Sequence, residues 1–225
     1  MPEENIKVAL PDGGSVTAVC ASPQGGQRDW LFVYAPGAGA NLFEPFGRHL
    51  SQRLAVSGVT SVRFQFPYME ARRRRPDRPA VLETTWRAVI EAVRASGMRL
   101  AVGGRSMGGR IASQVVAQEV AVDAVALFAY PLHSPAKPEE WRDGHLAAIG
   151  VPTLFCSGTR DAFAKPEELR QVAGRMQHAT LHLLEGADHG FGVPKSADRY
   201  REDVWEEATA ALLDFLEVQV TAPGA

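Results

Sequence analysis

A doubly wound α/β fold, with a mostly parallel central sheet, helices on both faces and an antiparallel hairpin at its N-terminal edge, is what this chain of 225 residues predicts. Three observations carry that reading. Short continuous apolar runs alternate with longer stretches of helical period, as a parallel sheet buried under helices requires. Residues 6–20 instead alternate polar and apolar around Asp12-Gly13-Gly14, the signature of a hairpin. The length suits one α/β domain, residues 1–225, with no internal repeat or linker.

Taken in order, Ile6-Lys-Val-Ala-Leu10 and Ser15-Val-Thr-Ala-Val-Cys20 are the hairpin arms. Strands follow at residues 31–34, 59–66, 100–102, 122–128, 152–156 and 180–184. Between them, Phe43, Phe46, Leu50 and Leu54 recur at one-turn spacing, as do Leu82, Trp86, Val89 and Val93, and Val204, Ala208, Leu212 and Phe215. Each set is one apolar helix face laid on the sheet. Residues 131–150 are irregular and contain proline; they are the one segment long enough for a small flap, which leaves little or no cap.

Composition excludes several classes. With 45% hydrophobic residues, 24 Lys+Arg against 26 Asp+Glu and a net charge of −2, the chain is neither disordered nor collagen-like, and it has no global electrostatic reason to bind nucleic acid. No apolar run approaches the roughly 20 residues of a membrane span. The acidic start, Met1-Pro-Glu-Glu-Asn5, carries no signal-peptide pattern, so a cytoplasmic location is expected. Cys20 and Cys156 sit within apolar strands as reduced packing residues, and nothing in their spacing suggests a metal site or a cofactor.

The chemistry centres on Leu100-Ala-Val-Gly-Gly-Arg-Ser106-Met-Gly-Gly-Arg110. A strand runs into Gly104-x-Ser106-x-Gly108 and straight on into a helix, which is the context of a nucleophile elbow. A serine nucleophile needs a base, and the base an orienting acid. Of six histidines, His189 follows the last strand directly, in a loop beyond the carboxyl end of a parallel strand where such sheets place ligand groups. His49, His133, His145, His178 and His182 default to structural or surface duty. Asp161, in the loop after the strand at 152–156, leaves room for one helix and one strand before His189 and is the preferred acid. Asp188 is the rival, but as the neighbour of His189 it has little chain with which to reach the ring. Asp123 opens a strand and so belongs to the opposite sheet edge.

The order Ser106, Asp161, His189 and a set of blocks along residues 30–192 resemble the α/β-hydrolase superfamily, in particular its small hydrolase branch of dienelactone-hydrolase-like and testis-expressed-protein-thirty-like proteins. The blocks are Pro36-Gly-Ala-Gly-Ala40, Arg63-Phe-Gln-Phe-Pro-Tyr-Met-Glu70, Gly103-Gly-Arg-Ser-Met-Gly-Gly-Arg110, Tyr130-Pro-Leu-His133, Pro152-Thr-Leu-Phe155, Gly158-Thr-Arg-Asp-Ala-Phe163 and Gly186-Ala-Asp-His-Gly-Phe191. The resemblance implies a sheet of about eight strands, Ser106 as nucleophile, Asp161 as acid and His189 as base. It also implies an oxyanion hole made by the backbone N–H groups of Met107 and Ala38. Relatives often carry His-Gly where this chain has Pro36-Gly37, and proline supplies no N–H, so the path of that loop departs from the family pattern.

Arg72, Arg73, Arg74 and Arg75 crowd with Arg78 around a single acid, Asp77. Such a run is commonly a solvated face. Here it follows a strand whose carboxyl end lies on the edge of Ser106, so it is also a candidate binder of a substrate carboxylate or phosphate. The expected function is a cofactor-free serine hydrolase of small or short-chain esters or thioesters, with no nucleic-acid or membrane partner. The alternatives are an amidase or peptidase using the same residues, or a non-catalytic scaffold on this fold.

Overall fold

The hairpin arms and the six apolar runs join one sheet. The computed structural model describes residues 3–95 and 97–221; the ends of the predicted domain, residues 1–2 and 222–225, and Ser96 lie outside that description. The strands are β1 (Glu3–Ala9), β2 (Ser15–Ala21), β3 (Trp30–Ala35), β4 (Thr60–Phe64), β5 (Arg99–Arg105), β6 (Ala124–Phe128), β7 (Thr153–Gly158) and β8 (Ala179–Leu184). They lie in the order β1-β2-β4-β3-β5-β6-β7-β8. The pairs β1–β2 and β2–β4 are antiparallel, and the other five are parallel. Gly13, at φ 85°, closes the β1–β2 turn, a conformation that asks for glycine.

The helices are α1 (Pro45–Val56), α2 (Pro67–Glu70), α3 (Pro79–Val93), α4 (Met107–Ala117), α5 (Pro166–Ala173) and α6 (Arg201–Thr221). Successive strand residues point to opposite faces, which is why the runs are apolar throughout. Leu31, Val33 and Ala35 of β3 enter the core roofed by α3, α4 and α5, with Trp86, Ile111 and Leu169. Trp30, Phe32 and Tyr34 enter the core under α1 and α6, with Phe46, Leu50 and Leu212. Burying each of these large side chains contributes on the order of 1.5–3 kcal/mol.

Three details differ from expectation. Phe43 is 64% exposed, because α1 begins only at Pro45, with Glu44 capping it by accepting the Gly47 N–H at 3.1 Å. The strand expected to run to residue 66 stops at Phe64; Phe66 stays buried but leaves the sheet as the chain turns into α2, with Pro67 preset for the first helical position. The segment 131–150 is tied down as a wall: Leu132, Leu146 and Ile149 are buried, Arg142 N–H donates to Leu132 O at 2.7 Å and His133 N–H to Phe163 O at 3.0 Å. Among the described residues no helix is long and apolar enough to cross a membrane.

Candidate active site

The site is assembled at the carboxyl ends of β5, β7 and β8. At the end of β5 the glycines let backbone meet backbone: a Cβ on Gly103 would sit 2.0 Å from Ala126 O, one on Gly104 2.2 Å from Ala35 O, and one on Gly108 2.2 Å from the same oxygen. α4 can therefore start directly against the sheet. Ser106 stands between strand and helix at φ 52°, ψ −119°, a region that non-glycine residues avoid. It is held there by its N–H, which donates to Phe128 O at 2.8 Å, and by its carbonyl, which accepts the Arg110 N–H at 3.0 Å.

The loops after β7 and β8 bring the other two residues to it. Gly158 permits them to pack, since its Cβ would fall 2.1 Å from Ala187 O, and Arg160 N–H donates to Ala187 O at 2.9 Å. His189 Nε2 lies 2.9 Å from Ser106 Oγ, and His189 Nδ1 lies 2.8 Å from Asp161 Oδ2. The Asp161 side chain is fully buried, and its second oxygen accepts the Phe163 N–H at 2.8 Å. With both oxygens accepting, Asp161 fixes Nδ1 of His189 as a donor and leaves Nε2 to accept from the serine.

The rival acid is engaged in its own loop. Asp188 Oδ1 accepts the N–H groups of Gly190 and Gly192 at 2.8 and 2.7 Å, which closes the turn that presents His189. Asp123 caps the far end of β5, where its Oδ2 accepts the Leu100 N–H at 2.7 Å. Four other histidines have structural partners: His49 beside Glu206, His133 on Glu168, His182 on Glu207 and His145 on Ser113.

The loop expected to complete the oxyanion hole passes over the elbow. A Cβ on Gly37 would lie 3.4 Å from both Arg105 O and Ser106 Cβ, and Ala38, Ser106 and Met107 border the same cleft. Among the described residues neither the Ala38 nor the Met107 N–H has a protein acceptor; the latter is a first-turn helical N–H with none available. A buried carboxylate braces this loop to the elbow. Glu44 accepts from Tyr34 Oη, and its other oxygen lies 3.6 Å from Arg105 Nη2. Burial, reinforced by Glu44, pushes the Tyr34 phenol well above its ordinary pKa, so it remains a donor.

The cleft has a volume of about 610 Å³. Arg72, Arg73, Arg74 and Arg75, expected to meet a substrate, are exposed and none of them lines it. Arg73 is turned onto Asp77, whose other oxygen accepts the Tyr68 N–H at 2.8 Å, and it is Asp77 that borders the cleft. Two arginines that sequence reasoning passed over do line it: Arg110, from α4, and Arg142, from the 131–150 wall. The signal for Arg110 was its place one helical turn after Ser106; Arg142 had none. Phe163, also missed as a site residue, stacks on His189. Among the described residues no group of three His, Cys, Asp or Glu side chains is arranged to hold a metal.

A family model described as an alpha/beta hydrolase domain matches residues 28–217. Similar solved structures include an alpha-beta serine hydrolase homologue from Coxiella burnetii, 19% identical with a TM-score of 0.76, the match covering 96% of this chain and 98% of that one. A lidless serine hydrolase from Xanthomonas campestris is 18% identical with a TM-score of 0.76, over 100% and 99% of the two chains. The dienelactone hydrolase of Anabaena variabilis is 16% identical with a TM-score of 0.70, over 95% and 97%. At these identities the likeness is one of fold.

Proposed function

Because the chain belongs to the alpha/beta hydrolase family, by its match over residues 28–217, we propose that it is a serine hydrolase of small or short-chain carboxylic esters or thioesters that works through Ser106, His189 and Asp161. The observation that carries this reading is the line of hydrogen bonds from Ser106 Oγ through His189 to the buried Asp161, at 2.9 and 2.8 Å, on a strained elbow. Strain of about 1–3 kcal/mol at one residue is retained where function uses it, which weighs against a non-catalytic scaffold.

In this mechanism Ser106 Oγ attacks the acyl carbon while His189 Nε2 takes its proton. The carbonyl oxygen becomes an oxyanion, held by the Met107 and Ala38 N–H groups. When the C–O or C–S bond breaks, His189 returns the proton to the departing alkoxide or thiolate. Water then attacks the acyl-Ser106, again losing its proton to His189, and the carboxylic acid leaves as Oγ is reprotonated. Asp161 stays ionised throughout, orienting Nδ1–H and stabilising the imidazolium.

Labelling with a fluorophosphonate tests the reading. The protein should be labelled, and Ser106→Ala should abolish labelling while circular dichroism stays unchanged. Among chromogenic esters, kcat/KM should peak between acetyl and about hexanoyl, since an open cleft buries little of the ~0.8 kcal/mol available per methylene. Labelling that survives Ser106→Ala would overturn the assignment.

A further inference from the structure

Ser106 shares its cleft with two guanidinium groups that form no salt bridge among the described residues. Arg110 stands four residues after Ser106, on the same side of α4 and beside the nucleophile. Its guanidinium is partly buried and donates to the neutral Gln114 Oε1 at 3.4 Å. Burial lowers its pKa from the ordinary arginine value, Arg142 acts in the same direction, and Tyr130 and Glu83 oppose them without reversing the shift. Arg142 borders the cleft from the 131–150 wall, its Nη1 3.4 Å from Pro131 O.

The acids in this neighbourhood are engaged elsewhere. Asp77 is held by Arg73 and the Tyr68 N–H, Asp143 by Arg175 at 2.7 Å, and Glu83 by Gln118 at 3.1 Å. Among the described residues neither Arg110 nor Arg142 forms a salt bridge. His145, which also lines the cleft, donates Nε2–H to Ser113 Oγ at 2.8 Å, since that hydroxyl gives its own proton to Arg110 O at 2.7 Å, and burial, then Arg110, lowers the imidazole pKa from its ordinary value. Two positive charges therefore flank the nucleophile without a salt-bridged counterion, Glu83, held by the neutral Gln118 amide, acting on Arg110 without pairing with it.

We propose that Arg110 and Arg142 form a subsite for an anionic group of the substrate, a carboxylate or a phosphate monoester separated by a short linker from the bond cleaved at Ser106. The partly desolvated Arg110 guanidinium, which has no salt bridge, gains most from a ligand that brings the charge, the more exposed Arg142 adds a second cation at the cleft edge, and the planar fork of each matches two oxygens of either group. The substrate class is then esters or thioesters of small diacids, or of phosphorylated acids or alcohols. This proposal rests on the reading of Ser106 as nucleophile.

The test compares nitrophenyl hydrogen adipate with its neutral analogue, nitrophenyl adipamate, and adds calorimetry of free adipate and of phenyl phosphate on the Ser106→Ala protein. The expected result is a kcat/KM about tenfold or more higher for the hydrogen adipate, a ratio that collapses toward one in Arg110→Gln and in Arg142→Gln. The calorimetric arms separate the two anions: the one that binds, and loses binding in the Arg110→Gln background, is the chemistry the subsite takes. Fluorophosphonate labelling of the parent with equal kinetics on both esters would overturn the subsite and leave the hydrolase reading standing. Absence of labelling, with anion binding that still requires Arg110, would overturn the hydrolase reading and keep the anion site. A preference that survives both arginine variants would assign it to other residues and end the proposal.

Discussion

Phe163 lies against the His189 imidazole, 4.1 Å between ring centroids and 29° between planes, while its backbone N–H donates to the Asp161 oxygen that His189 does not use. One residue thus touches both His189 and Asp161. The stacking restrains rotation of the imidazole, and the N–H settles which carboxylate oxygen faces Nδ1.

Phe163→Ala keeps that N–H and loses the stacking. Turnover is expected to fall about three- to tenfold, the worth of an aromatic contact, with KM for a short ester little changed and activity restored by Phe163→Tyr. Unchanged kcat in the alanine variant would show that the His189 loop alone holds the ring.

Asp161 and Asp188 are separated by their partners. Asp161→Asn presents His189 with an amide and should lower turnover by about 10⁴. Asp188→Ala removes the acceptor for two loop N–H groups and should show first as an earlier urea midpoint, by about 1–3 kcal/mol, with the smaller loss of turnover. The reverse ranking in kcat would make Asp188 the acid.

Gly103→Ala should destabilise the protein by about 2–4 kcal/mol, because the new methyl group would meet Ala126 O at 2.0 Å in the middle of the sheet. Gly25→Ala, in open space, should change urea stability by no more than about 0.5 kcal/mol. Equal stabilities would mean that β5 and β6 separate readily.

His145 links stability to pH. Burial, then Arg110, hold its pKa below the ordinary 6.5, so on the acid side of that value the unfolded chain binds the proton more readily than the folded one. Its contribution is complete above pH 6.5 and is lost as pH falls through the folded value. The urea midpoint of His145→Gln should therefore fall less steeply than the parent's on acidification below pH 6.5. His49, also lowered by burial, acts in the same direction and cancels in the difference between the two proteins. A steeper fall in the variant would contradict this account.

Every strand, and the helices α1, α3, α4 and α6, could be read from the chain, since a sheet buried on both faces leaves uninterrupted apolar runs such as Leu31 to Tyr34, whereas the four residues of α2 are too few to show a period. Ser106, Asp161 and His189 were legible for a related reason: each stands just past the carboxyl end of a parallel strand, so their order along the chain already aligns them at one edge. Boundaries were less so. Pro45 and Pro67, each at a first helical position, decide where α1 begins and where the chain quits β4, and apolar spacing does not register either event.

The sequence by itself determined which strands form, which face of each helix is buried, and which three side chains converge, because these follow from local periodicity and from a connection rule that brings successive strands side by side. The tertiary structure alone decided what surrounds them. Arg142 reaches the cleft through a wall whose path depends on Leu132, Leu146 and Ile149 finding the core, and Arg110 has no salt bridge because Asp77, Asp143 and Glu83 are drawn to partners distant in the chain or across a turn. Arg72, Arg73, Arg74 and Arg75, conspicuous as a charge run, are exposed and do not line the cleft, Arg73 being turned onto Asp77. Charge along a chain is a local property, whereas its neutralisation is settled by which groups the fold brings within a few ångströms of one another.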